Sequence, residues 1–219
     1  MNLTSGASKY LYMSLSKKLI ADQLLKEIES INNNPFEHID VWNNNFKWYL
    51  LIKGPPNTDY ESGYYIAELS FPDKYPSIPD CKILTPNGKY LINKKIHIFG
   101  PHLLTWEYTI QQLLPYILKQ MLDDGIVYKS YFSYDDLDYA DPIILSKEER
   151  KYLAIKTVIY NKTHYPELVN KFPRFLDHNG YSPEHIKNIH MFWLIKFSLD
   201  NNLNTDMINY IFKLFYYII

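Results

Sequence analysis

Cysteine is nearly missing from this chain: Cys81 is the only one in 219 residues. That excludes an intrachain disulfide framework and a cysteine-rich zinc site, and it fits a reducing compartment, so a cytoplasmic or nuclear location is expected. Glycine is scarce too, with 7 in all and no glycine-rich turn whose amides could cradle a phosphate, so nucleotide binding gains no support. Neither sign of charge is in excess. A formal net charge of -1 and a pI near 6.6 give no field that would draw the chain to nucleic acid, and no nucleic-acid partner is expected. Long apolar runs are also wanting. Residues 1–13 mix Ser, Gly, Lys and Tyr without a leader-like core, so no secretory signal is expected. The most apolar segment, residues 207–219, contains Lys213 and falls short of the ~20 residues that span a bilayer, so no transmembrane span is expected. His178, His185 and His190 lack the i, i+4 spacing of a helical metal pair, and neither a metal nor any other cofactor is expected.

What is present suits one substantial core and a smaller appended one: 47% of residues are hydrophobic and 21% charged. Over residues 14–31, Leu15, Leu19, Leu24, Ile28 and Ile31 recur near helical spacing and predict an amphipathic first helix, ended by Asn32, Asn33, Asn34 and Pro35. Phe46, Trp48, Leu50 and Ile52 alternate and predict a strand, followed by a turn at Gly54-Pro55-Pro56-Asn57 and strands over 64–71 and 81–84. Prolines 72, 76 and 79 keep the stretch between those strands extended and short of amide donors. After Pro86-Asn87-Gly88 the chain reads as irregular from Lys89 to Trp106, and so long a non-periodic segment in a compact domain suggests function. Thr109 caps a helix to about Leu122 with Pro115 inside it, expected to kink it or cost a hydrogen bond. Ser146 with Glu149 predicts a capping box for a helix to about Asn161, and 166–176 a shorter helical piece. Ser182 and Pro183 start a further helix, and another starts near Thr205.

A first helix, an antiparallel β-meander, a long irregular segment and trailing helices make an α+β domain. Particular residues narrow this. Trp48, Lys53-Gly54-Pro55-Pro56, Thr58, Tyr60-Glu61, Gly63-Tyr64, Phe71-Pro72, Tyr75-Pro76, Pro79 and Thr85-Pro86-Asn87-Gly88 resemble the strand and turn signature of the ubiquitin-conjugating enzyme family. Within it, the Thr-Pro-Asn-Gly turn, the Lys-Lys-Ile approach at Lys94-Lys95-Ile96 and the later segments Leu153-Ala154 and Tyr165-Pro166-Glu167 are most similar to the membrane-anchored, endoplasmic-reticulum-associated subgroup. The resemblance implies a UBC-like core over residues 14–175, followed by a C-terminal helical extension over 176–219.

It also implies a chemistry that this chain lacks. Family members hold ubiquitin as a thioester on a cysteine, because a thiolate is a strong nucleophile and its thioester still reacts with amines. Aligned from the turn, that position falls on His97. An acyl-imidazole hydrolyses readily, so His97 would be a poor carrier and no catalytic residue is expected. Asn87 matches the family asparagine held to support the oxyanion or the local turn, and only the turn role survives without a thioester. Ser77 stands where the ligase-binding surface commonly has an apolar residue, beside Ile78, and Trp106-Glu107-Tyr108 shortens the loop that follows the tryptophan. Lys17 and Lys18 retain part of the basic face that meets the activating enzyme, diluted by Asp22, Glu27 and Glu29.

These residues imply a catalytically inactive variant, a pseudoenzyme that binds ubiquitin, a ubiquitin-like protein or an active conjugating enzyme. The alternatives are an active ubiquitin transferase with non-standard chemistry and a repurposed structural or interaction protein with no ubiquitin link. In the extension, Ile186, Ile189, Trp193 and Phe197, and then Ile211, Phe212, Leu214, Phe215 and Ile218, are expected to form two apolar helices that pack as a hairpin. Residues 205–219 could instead make a peripheral contact with a partner or a membrane, the endoplasmic-reticulum surface included.

Overall fold

The structure, a computed structural model, describes residues 4–73, 77–96, 98, 109–123, 143–176 and 204, with side chains from residue 17 onward apart from 174 and 176. The chain divides into two compact units, Met1–His178 and Asn179–Ile219. Every element described below belongs to the first. The helices expected after Ser182 and near Thr205, and with them the extension over 176–219 apart from residues 176 and 204, lie outside the described residues.

Helix α1 runs Thr4–Asn33, starting ten residues ahead of the expected boundary. It ends two residues before Pro35, whose ring disfavours helical backbone at the residue before it. Its buried side chains are Ile20, Leu24, Ile28 and Ile31. The expected apolar stripe therefore needs correcting: Leu19 is 70% exposed and Ile20 takes the inward place. At 3.6 residues per turn, Ile20 shares an arc with positions 24, 28 and 31, whereas Leu19 falls about 100° away from it.

Strands β1 (Ile39–Asn44), β2 (Lys47–Lys53), β3 (Tyr64–Ser70), β4 (Asp80–Ile83) and β5 (Lys95–Ile96) form one antiparallel sheet in sequence order. Two of these go beyond the sequence expectation. Strand β1 was not anticipated, and it pairs with β2 from Ile39↔Ile52 to Asn44↔Lys47 across a tight hairpin in which Asn45 takes φ 52°. Asparagine tolerates that left-handed backbone better than other residues with a Cβ. Strand β5 interrupts the stretch read as irregular, pairing Lys95 with Lys82 and Ile96 with Cys81.

The strand alternation sends Ile39, Trp48, Leu50, Ile52, Tyr65, Ala67, Leu69, Cys81 and Ile83 to one face, where they pack with the buried stripe of α1 and with Ile110, Leu113, Leu114, Ile117 and Met121 of α2 (Ile110–Leu122). Helix α2 starts on a capping box between Thr109 and Gln112 and runs on through Pro115. The opposite face carries Leu51, Tyr64, Ile66 and Leu84, with Trp42 and Tyr49 beside them. These are covered by Val158 of α3 (Lys147–His164), Val169 of α4 (Pro166–Val169), Phe172, and Phe175 of α5 (Pro173–Leu176). The piece expected over 166–176 is thus two short helices that close the outer face, stacking Phe175 edge-on against Tyr64 and setting Lys171 over the Trp42 ring. Among the described residues no helix is long and apolar enough to cross a membrane.

Candidate functional site

The segment from Thr85 to Tyr90 leaves β4 and joins elements far apart in sequence. Thr85 is buried; its hydroxyl accepts from the Ile66 amide at 2.9 Å and donates to Asn161 Oδ1 at 2.6 Å. Asn161, on α3, donates from Nδ2 to the Tyr64 carbonyl at 2.7 Å, and Thr157 one turn earlier accepts from the Tyr64 amide at 2.8 Å. The start of β3 is a place where backbone groups would otherwise be buried without partners, and α3 supplies them. Sequence periodicity missed these two residues, although Thr157 and Asn161 on a helical stripe with Ala154 and Val158 were a signal of buried polar work.

Asn87 is 1% exposed and its amide is fully engaged. Nδ2 donates to the carbonyls of Thr85 at 3.1 Å and Tyr90 at 3.3 Å, while Oδ1 accepts from the amides of Lys89 at 2.9 Å and Tyr90 at 2.8 Å. Both amide hydrogens and both oxygen lone pairs are thereby used inside the turn. Gly88 follows at φ 77°, and a Cβ there would sit 2.8 Å from Arg150 Cγ, so backbone conformation and space both require glycine. Lys89 is wholly buried; its Nζ donates to the carbonyls of Gln120 and Asp123, each at 2.5 Å, at the end of α2. A cation at the C-terminal carbonyls of a helix satisfies groups with no intrahelical donor and opposes the negative end of its dipole. Arg150 closes the arrangement, donating to Asp59 at 2.6 Å and to the Leu145 carbonyl at 2.9 Å, which ties the 54–63 turn to α3.

Cys81 lies in β4 with its side chain at zero exposure. Burial pushes the thiol far above its ordinary range, helped by the negative charges of Asp80 and Glu68. A thiol held protonated and out of contact with solvent is neither nucleophile nor metal ligand. No group of three or more His, Cys, Asp or Glu able to hold a metal ion occurs among the described residues.

Residues 21–125, which span the sheet, the turn and α2, match the family model described as ubiquitin-conjugating enzyme. The chain belongs to the ubiquitin-conjugating-enzyme-like family. Its similar relatives carry the E2 6 and E2 J names of the subgroup that the Thr85–Gly88 turn resembles. It is 27% identical to ubiquitin-conjugating enzyme E2 6 of Schizosaccharomyces pombe, covering 72% of this chain and 67% of that one. It is 29% identical to the E2 J2-like protein of Dictyostelium discoideum, over 64% and 80%. With human ubiquitin-conjugating enzyme E2 J1 the identity is 32%, over 62% of this chain but 41% of the relative. The UBC-like chain thus spans about two thirds of its E2 6 relatives and less than half of the E2 J1 type. Among solved structures, human ubiquitin-conjugating enzyme E2 G1 aligns at 26% identity over 46% of this chain and 93% of that one, with a TM-score of 0.40.

The family positions named from the sequence are distributed as follows. Asn87 sits at the centre of the turn just described. His97, Trp106, Glu107 and Tyr108 lie outside the described residues, although Ile96 and Ile98, on either side of position 97, are both buried. Ser77 is half-buried, and Ile78 next to it is 37% exposed, so an apolar side chain does reach the surface of the proline-rich loop, one residue beyond the position named. Lys17 pairs with Asp73 at 3.5 Å, linking the exposed side of α1 to that same loop, and Lys18 is exposed beside it. The Lys17–Asp73 pair thus ties α1 to the start of the proline-rich segment, whereas Asn87 belongs to the interior of the turn.

Proposed function

We propose that this UBC-like chain is a catalytically inactive conjugating-enzyme variant that binds ubiquitin, a ubiquitin-like protein or an active conjugating enzyme without forming a thioester. The observation that carries this reading is the state of its single cysteine: Cys81 is buried in β4 with its thiol held protonated. Asn87 supports it, since an amide committed to four bonds within the turn has no donor left for an oxyanion. His97 stands at the nucleophile position as a non-carrier. Partner contact is assigned to Lys17, Lys18, Ser77 and Ile78, together with Trp106, Glu107 and Tyr108. The chain works in the cytoplasm or nucleus, with residues 205–219 available for peripheral contact at the endoplasmic-reticulum surface.

The test incubates the full chain with activating enzyme, ATP and ubiquitin, compares reducing with non-reducing gels, and in parallel titrates isotope-labelled ubiquitin with the unmodified chain. No reducible adduct together with saturable shifts in ubiquitin resonances is the expected result. A reducible adduct on this chain would establish an active transferase instead. Absence of both would leave ubiquitin out and turn the titration to an active conjugating enzyme as partner.

A further inference from the structure

We draw no further inference here: the strongest candidate, the exposed apolar ledge of Leu91, Ile92, Ile143 and Ile144 beside the Thr85–Tyr90 turn, carries nothing because nothing in the structure shows what covers it.

Discussion

Asn87, Lys89 and Arg150 are each engaged by several bonds, and each is therefore costly to change. Replacing Asn87 with Ala strands two carbonyls and two amides inside the turn. At a net of about 1 kcal/mol per bond, with an added penalty for groups left buried, the expected loss is about 2–4 kcal/mol, measurable as a lowered urea midpoint at unchanged m value. A loss under ~0.5 kcal/mol would mean that the turn holds itself without the side chain. Cys81 makes a sharper forecast. In the native protein it should resist an aromatic disulfide reagent and react at once in denaturant, because only unfolding both exposes the sulfur and lets it ionise. Fast stoichiometric labelling of the folded chain would remove the main support for an inert thiol. His97→Cys is expected to give at most a slow adduct and no efficient ligase-dependent transfer. The Asn87 amide would still have no free donor, Ser77 would still stand in the loop and the segment at Glu107 would still be shortened. Brisk transfer with several ligases would show that a thiol alone was missing.

Among the elements, the pair α4 and α5 shows how short helices gain stability from tertiary contact. Four-residue helices are far below the length that stands alone in water, so their persistence rests on Val169, Phe172 and Phe175 being buried against Leu51, Tyr64 and Ile66. Phe172→Ala is expected to cost about 3–5 kcal/mol, the usual range for removing a buried aromatic ring, and to loosen amide protection over 165–176 before that of the strands. Uniform loss of protection across sheet and helices would contradict a locally held cover. Helix α3 adds a pH-dependent term at its start. The Ser146 hydroxyl and amide donate to the Glu149 carboxylate and hold its pKa below the usual value. Because the folded value is lowered, the contribution is present above the ordinary carboxylate range and disappears as pH falls through the folded value. Glu149→Gln should flatten that acid-side part of the stability profile, read from urea melts across the acidic range, and an unchanged profile would show the box to be unoccupied in solution.

For the molecule as a whole, near-neutrality is the governing property. With a formal net charge of -1, and with Lys17 paired to Asp73 on the exposed side of α1, long-range attraction toward a partner is weak. The proposed association with ubiquitin is therefore expected to change by no more than a few-fold between low and physiological salt, measured by titration at two ionic strengths. A tenfold or steeper fall, about 1.4 kcal/mol, would point to a charged docking face.

Much of the fold could be read from local chemistry. The cap at Thr109 and the capping box at Ser146 located α2 and α3, the alternation around Trp48 located β2, and the motifs from Lys53 to Gly88 pointed to the family. Those signals are short-range, and each needs only its own few residues. Strand β1 escaped because Asn43, Asn44 and Asn45 suggest loop, and pairing with β2 overrides that preference. The absence of a second cysteine was fixed by sequence alone. What the remaining thiol and the family asparagine can do was decided by packing: Cys81 by the sheet and helices around it, and Asn87 by a turn that uses all of its hydrogen-bonding capacity. Lys89 on the end of α2 and Arg150 on Asp59 were likewise invisible in sequence, since each pair joins residues at least thirty positions apart. Contacts of that span exist only once the chain has folded, and they are what made the segment around Asn87 a buried junction.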